Sequence, residues 1–61
     1  MPIIQVHMVE GRPAERKAEL ITALTETCCN TLGVGPEAVR IIISEMKPEN
    51  YGLNGQPYTK K

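Results

Sequence analysis

The sequence opens with Met1-Pro2-Ile3-Ile4-Gln5-Val6-His7-Met8-Val9-Glu10-Gly11-Arg12. Apolar and polar side chains alternate from residue 4 to residue 8, and this period of two predicts a strand with one apolar face. The other face of the strand is not cleanly polar, because Ile3 and Val9 lie on it. A strand that is apolar on both sides in so short a chain indicates that a second subunit covers the far face.

Pro2 becomes the first residue if Met1 is removed, and its nitrogen is then a free secondary amine. An α-amino group has a pKa of about 7.7 to 8.0 in model peptides, and partial burial or nearby cations would lower that pKa towards neutrality. A general base works best when its pKa lies near the working pH, so Pro2 is a candidate base. The alternative is that Pro2 only begins an edge strand, where proline is tolerated because it lacks a ladder donor.

The length of 61 residues predicts one small domain, 1–61, that cannot complete a core alone. A chain of this size buries only about 60% of the surface that its unfolded form exposes. Cys28 and Cys29 are adjacent, so a disulfide between them would close no loop that could stabilise the fold. His7 is the single histidine, without metal-ligand spacing, and is more readily a strand residue at an interface than a ligand or catalyst. No metal or cofactor is expected, and oligomerisation remains as the supplement to the core.

The charge balance points away from nucleic acid as a partner. The seven Lys and Arg residues balance the seven Asp and Glu residues, and no one-sided basic run appears outside the last two lysines. Two tyrosines are the only aromatic residues and offer no stacking platform for bases. We see no apolar run near 18 residues and no leader segment, so we expect a cytoplasmic protein that does not associate with membranes.

A helix and a second strand follow the opening strand. Pro13 fits the first helical position, the helix is predicted over Ala14–Leu32, and Gly33 fits its C-terminal cap. The segment Val39–Met46 is dense in β-branched residues and predicts a strand. Strand, helix and strand in this order predict a β-α-β unit with parallel strands, in the α/β class. The apolar helix positions return at helical spacing and are Leu20, Ile21, Leu24, Cys28 and Leu32.

The remaining segment, 47–61, is rich in Gly, Pro and Asn. Leu53-Asn54-Gly55 within it predicts a hairpin turn. We expect this C-terminal hairpin tail to pack on a neighbouring subunit.

The parallel arrangement places two of the candidate residues together and a third far away. Pro2 and Arg40 both lie near the beginnings of their strands, so an arginine stands at the same end of the sheet as the amine. Arg12 follows the far end of the first strand, about 30 Å away at roughly 3.3 Å per residue. It could therefore serve only the Pro2 of a partner, if two first strands pair antiparallel. One base and two guanidiniums suit a small acid or diacid, although each arginine alone could be a surface residue or an ion-pair partner.

With these residues in place, the sequence resembles the 4-oxalocrotonate tautomerase family of the tautomerase superfamily. The resemblance covers nearly the whole chain and rests on Pro2-Ile3, Val9-Glu10-Gly11-Arg12, Val39-Arg40, Ser44-Glu45-Met46, Tyr51-Gly52 and Gly55. It implies the tautomerase fold and an assembly of six identical chains, built as a trimer of dimers, in which the arginines come from neighbouring chains.

The resemblance also implies roles for individual residues. Pro2 would be the base that takes a proton from the hydroxyl of a dienol such as 2-hydroxymuconate and returns it to carbon, without a cofactor. Arg40 would bind the carboxylate and oxygen next to the reacting centre, and Arg12 would bind the distal carboxylate. Val9 and Tyr51 would contact the substrate, with Tyr51 at a position where the family often has phenylalanine. The implied setting is the catabolism of aromatic hydrocarbons.

The sequence leaves two alternatives open. A hydratase or dehalogenase of unsaturated acids on the same scaffold would need a carboxylate near the proline to activate water, and Glu45 or Glu49 would have to supply it. A non-catalytic subunit is the second alternative, because a retained Met1 turns the Pro2 nitrogen into an amide that cannot act as a base.

Overall fold

Two parallel strands and one long helix form the body of the protein, and a short hairpin follows them. The computed structural model describes residues 1–58; the last three residues of the predicted tail, 59–61, lie outside the described residues. Two short 3₁₀ turns, Pro36–Ala38 and Pro48–Asn50, precede the second strand and the hairpin. In chain order the regular elements are β1 Ile3–Val9, α1 Ala14–Leu32, β2 Arg40–Met46, β3 Gly52–Leu53 and β4 Gln56–Pro57.

Strands β1 and β2 pair in parallel along their whole length, from Ile3 opposite Arg40 to Val9 opposite Met46. Backbone hydrogen bonds extend the pairing by one residue at each end. The N–H of Arg40 donates to the carbonyl of Pro2 at 3.0 Å, and the N–H of Glu10 donates to the carbonyl of Met46 at 2.8 Å. The predicted β-α-β unit with parallel strands is therefore confirmed.

Helix α1 has the predicted bounds, Ala14–Leu32. Gly33 ends it with a φ of 73°, in the left-handed region that glycine enters without strain, and its N–H donates to the carbonyl of Cys29 at 3.0 Å. The prediction for Pro13 is wrong by one position, because Pro13 has a ψ of 159° and is the N-cap residue. From there its carbonyl accepts the first helical hydrogen bonds, from the N–H groups of Arg16 and Lys17 at 3.1 and 3.3 Å.

The two faces of the sheet differ in how well they are covered. Side chains facing the helix are half-buried, including Ile4 and Ile43. On the open face Ile3 is 51% exposed and Ile42 is 44% exposed. Among residues 1–58, Val39 is the only buried hydrophobic residue, so these residues by themselves do not enclose a core.

The helix shows the same incomplete burial. Leu20, Leu24 and Cys28 on its predicted apolar face are half-buried, but Ile21 and Leu32 are exposed. Within residues 1–58, the two paired strands leave part of the apolar face of this 19-residue helix uncovered. No helix within residues 1–58 is long and apolar enough to cross a membrane.

Strands β3 and β4 form the predicted hairpin, with Gly52 opposite Pro57 and Leu53 opposite Gln56. Asn54 and Gly55 between them have φ values of 59° and 83°. Positive φ at both central residues is the requirement of the type I′ turn, which Asn-Gly satisfies best. The expected contact of this tail with a neighbouring subunit stays a prediction.

Candidate functional site

The first group of candidate residues lies where β1 and β2 begin. Pro2 is half-buried, and its carbonyl accepts the hydrogen bond from the backbone N–H of Arg40. The guanidinium of Arg40 turns back towards the turn that precedes β2, where its Nη1 donates to the carbonyl of Glu37 at 2.7 Å. Arg40 is exposed, so its remaining guanidinium N–H groups can reach a ligand that approaches this end of the sheet.

Met1 precedes Pro2 in this chain and is 76% exposed. With Met1 attached, the nitrogen of Pro2 belongs to a tertiary amide, whose lone pair is delocalised and which cannot accept a proton at neutral pH. Removal of the first residue would release this nitrogen from the amide. After that removal the same nitrogen would be a secondary amine, one residue before the paired strands.

The second group of candidate residues lies at the opposite end of β1. Here a cavity of about 600 Å³ opens between the end of β1 and the C-terminal hairpin. The predicted substrate-binding residues Val9, Arg12 and Tyr51 all line it, so the structure brings the segment 9–12 and the distant Tyr51 together. Arg12 is the only lining residue of this cavity with a formal charge at neutral pH. The arrangement suits a carboxylate that extends from an apolar chain.

Tyr58 also lines this cavity, and the sequence analysis missed it. Its ring meets the ring of Tyr51 edge to face, with centroids 5.3 Å apart and planes at 79°. The backbone N–H of Tyr58 donates to the carbonyl of Tyr51 at 2.6 Å. A signal for this pair was present in the sequence: counting outward from the Asn54-Gly55 turn places residue 51 opposite residue 58.

The two groups of residues do not meet within one chain. Strand β1 has 7 residues, which span about 20 Å at roughly 3.3 Å per residue. Pro2 lies before this strand and Arg12 lies after it. One protomer thus contains both halves of the predicted constellation, Pro2 with Arg40 and Arg12 with Val9 and Tyr51, at opposite ends.

The carboxylates that a hydratase would need are placed elsewhere. Glu45 lies on the helix side of β2 and its Oε2 is 3.0 Å from the Nζ of Lys17. Within its own chain Glu45 is opposite Met8, near the end of β1 that is remote from Pro2. Glu49 is exposed in the 3₁₀ turn before β3. Neither residue is near the Pro2 of its own chain.

The other polar candidates have simple surroundings. His7 is exposed, lies on the open face of the sheet, and lines the cavity that contains Arg12. Arg16 pairs with Glu19 at 2.8 Å on the exposed surface of the helix. Within the part of the chain that the structure describes, no three His, Cys, Asp or Glu residues are grouped so that they could hold a metal ion.

Known proteins resemble this chain over nearly its whole length. The sequence model of a family described as tautomerase enzyme matches residues 2–61. The chain is 47% identical over 57 residues to a probable tautomerase of Ralstonia nicotianae. The matched segment covers 93% of this chain and 81% of that protein. It is 40% identical over 60 residues to the 2-hydroxymuconate tautomerase of a Pseudomonas strain, with 98% and 95% of the two chains covered.

The structure is also similar to that of a solved relative. This relative is a heterohexameric 4-oxalocrotonate tautomerase from Chloroflexus aurantiacus. The TM-score is 0.92, with 33% sequence identity and with 98% of this chain and 97% of the other covered.

Proposed function

Since this chain belongs to the tautomerase family, we propose that it ketonises a small unsaturated dicarboxylic 2-hydroxy acid such as 2-hydroxymuconate. The chain is an isomerase of the 4-oxalocrotonate tautomerase type. The proposed base is the amine of Pro2 after removal of Met1. The proposed unit of function is a single domain, 1–61, in a homohexamer arranged as a trimer of dimers.

The observation that carries this proposal is the hydrogen bond between the N–H of Arg40 and the carbonyl of Pro2, at 3.0 Å. This bond holds the backbones of Pro2 and Arg40 next to each other at one end of the sheet. The nitrogen of Pro2, which becomes an amine when Met1 is removed, and the guanidinium of Arg40 therefore belong to neighbouring residues. An enol that loses its hydroxyl proton to the amine gains negative charge on that oxygen, and a guanidinium stabilises such charge. The amine can then return the proton to carbon, so the isomerisation needs no redox partner and no metal.

The second half of the proposal concerns the distal carboxylate. Arg12 lies in a cavity with the apolar Val9 and the ring of Tyr51, and its planar guanidinium can bind a carboxylate through charge-assisted, bidentate hydrogen bonds. This cavity is at the far end of β1 from Pro2, so we propose that a partner contributes it. The sheet of each protomer has two strands, and β1 pairs only with β2 among the described residues. The unpaired edge of β1 could take an antiparallel β1 from a partner, which would bring each Arg12 towards the other Pro2.

Both groups are needed to reach an enzymatic rate. A positioned general base contributes a factor of about 10² to 10⁴. Each preorganised donor at the developing charge contributes a further factor of about 10² to 10³. We therefore assign the base to Pro2, stabilisation of the developing charge to Arg40, and binding of the second carboxylate to Arg12.

The test begins with the intact mass of the purified protein, followed by a spectroscopic assay of 2-hydroxymuconate ketonisation. Protein that lacks Met1 should be active. A matched control carries one alanine inserted between Met1 and Pro2, which keeps every native residue but acylates the proline nitrogen, and it should be inactive. Activity in the control, or in protein that fully retains Met1, would overturn the assignment of Pro2. Inactivity of the Met1-free protein towards unsaturated 2-hydroxy acids would overturn the proposed function.

A further inference from the structure

We propose that Tyr58 positions the ring of Tyr51 as a wall of the Arg12 cavity and thereby sets the preference for substrates with a second carboxylate. The proposal rests on the proposed function, because it assigns a determinant of substrate choice to the same site. Tyr58 is not required to touch the reacting atoms. Its effect passes through Tyr51.

The backbone of Tyr51 is fixed from both sides. Its N–H donates to the carbonyl of Pro48 at 3.1 Å, and its carbonyl accepts the N–H of Tyr58 at 2.6 Å. The backbone is thus set by the 3₁₀ turn before it and by the hairpin after it, which leaves the ring to be oriented by side-chain contacts. Tyr51 is 41% exposed, so these contacts come from one side only.

The ring of Tyr58 supplies such a contact. The two rings meet edge to face with centroids 5.3 Å apart and planes at 79°, which is a preferred geometry for an aromatic pair. Tyr58 is half-buried, more enclosed than Tyr51. The better enclosed ring therefore supports the more exposed one. The type I′ turn at Asn54 and Gly55 brings the two residues opposite each other.

The wall matters for a ligand because of what else lines the cavity. Arg12 provides the one formal charge, and the apolar Val9, Met46 and Leu53 line the cavity with the two tyrosines. A carboxylate on Arg12 is bound more strongly where the neighbouring rings exclude water. Loss of the ring support would admit water at this end and weaken only ligands that reach Arg12. A monocarboxylate held at the Arg40 end would be unaffected.

The chain offers a built-in reporter for the test. Tyr51 and Tyr58 are its only aromatic residues of the Phe, Trp and Tyr type, so intrinsic fluorescence reports this pair and nothing else. We would titrate the Met1-free assembly with adipate, an unreactive diacid, and with hexanoate, a monoacid with the same number of carbons. The variants are Tyr58→Phe, which keeps the aromatic pair, and Tyr58→Ala, which removes it. Tyr58→Leu replaces Tyr58→Ala if the alanine variant fails to assemble.

We expect Tyr58→Ala to raise the dissociation constant of adipate about 3- to 10-fold, the range that loss of an aromatic pair produces. The dissociation constant of hexanoate should change less than about twofold in Tyr58→Ala. The Tyr58→Phe variant should bind adipate about as tightly as the native protein. With 2-hydroxymuconate, KM should rise in Tyr58→Ala while kcat changes less than KM. Equal weakening of the two acids, no weakening of either, or a Tyr58→Phe variant as defective as Tyr58→Ala would each overturn the proposal.

Binding and turnover separate this proposal from the function on which it rests. Adipate binding requires no catalysis. A protein that binds adipate in a Tyr58-dependent way but turns over no 2-hydroxy acid would retain the role of Tyr58 and lose the proposed tautomerisation. A protein that turns over 2-hydroxymuconate but binds adipate equally well in both variants would lose only the role of Tyr58.

Discussion

The backbone N–H of Arg40 donates to the carbonyl of Pro2 at 3.0 Å. This bond continues the parallel pairing of β1 and β2 by one residue beyond Ile3 opposite Arg40. The strand pairing therefore sets the backbones of the proposed base and of the proposed cation side by side at one end of the sheet. A helix of 19 residues separates the two strands in sequence, and the register of the sheet brings these two residues together.

Pro2→Ala should lower kcat/KM for 2-hydroxymuconate by about 10²-fold, within the range for a positioned base. The alanine amine is primary and lacks the ring that fixes the proline nitrogen relative to the strand. Steady-state kinetics on Met1-free protein would measure the loss, with circular dichroism confirming that the variant is folded. A variant within about twofold of the native rate would contradict the role of Pro2.

The pH dependence of the native enzyme should follow the same amine. Only the unprotonated amine can accept the hydroxyl proton, so kcat/KM should fall as the pH drops below the pKa of the Pro2 amine. The acid limb of the profile should correspond to one proton. A flat profile across about pH 6 to 9, which spans the α-amino pKa of about 7.7 to 8.0 and a downward shift from it, would contradict this assignment.

The two arginines should differ in what their loss changes. Arg40→Ala removes a donor from the developing charge and should lower kcat by about 10²- to 10³-fold. Arg12→Ala removes a charged hydrogen bond to the distal carboxylate, worth about 1.5 to 3 kcal/mol, and should mainly raise KM for the diacid. A substrate without the distal carboxylate is the matched control, because Arg12→Ala should leave its KM nearly unchanged. Equal effects of both variants on both substrates would refute this division.

Local sequence patterns predicted the elements because each has a short-range cause. The alternation of apolar and polar side chains predicted β1, and the run of β-branched residues predicted β2. Gly33 predicted the end of α1, and Asn54-Gly55 predicted the hairpin turn. The N-cap role of Pro13 was missed because its φ fits both the cap and the first helical position, and only ψ separates them.

The candidate site was predictable to a different degree. The pairing of Pro2 with Arg40 followed from parallel strands alone. The cavity at Arg12 did not, because it forms only where the hairpin folds back towards the end of β1. Tyr58 was missed although the predicted Asn54-Gly55 turn places residue 51 opposite residue 58, and only the folded hairpin shows that the two rings touch beside Arg12. The guanidinium of Arg40 bonds to the carbonyl of Glu37, a side-chain contact that no sequence pattern indicates.

Stability should depend on protein concentration. Val39 is the only buried hydrophobic residue among residues 1–58, while Ile3 and Ile42 are exposed on the open face of the sheet. A second copy that covers this face would stabilise the folded chain by mass action, so Tm should rise with concentration. Ile42→Lys should lower both Tm and the assembled fraction. Thr27→Lys, at an exposed helix position, adds the same side chain as a control and should change neither.

Thermal unfolding and sedimentation over about a hundredfold range of concentration would measure both quantities. A Tm independent of concentration, together with sedimentation as a single chain, would contradict the prediction that the protein assembles into an oligomer. It would also leave Arg12 unable to reach any Pro2, because β1 holds the two residues of one chain apart.

The ion pair between Lys17 and Glu45 should be structural. Their side chains are 27% and 30% exposed, and the Nζ and Oε2 atoms are 3.0 Å apart. Such a partly exposed pair contributes about 0.5 to 1 kcal/mol, here by joining α1 to β2. Glu45→Gln should lower the free energy of unfolding by about that amount and leave ketonisation unchanged, because Glu45 has no part in the proposed proton transfer.

Lys17→Met and the double variant would complete a thermodynamic cycle at one fixed protein concentration. If the pair is the whole effect of Glu45, the loss in the double variant should be smaller than the sum of the two single losses. The same proteins also test the hydratase or dehalogenase alternative, since native protein should release no halide from a 3-haloacrylate. Halide release by native protein that disappears in Glu45→Gln would instead make Glu45 the water-activating carboxylate, because the glutamine amide has the same shape but cannot accept the proton.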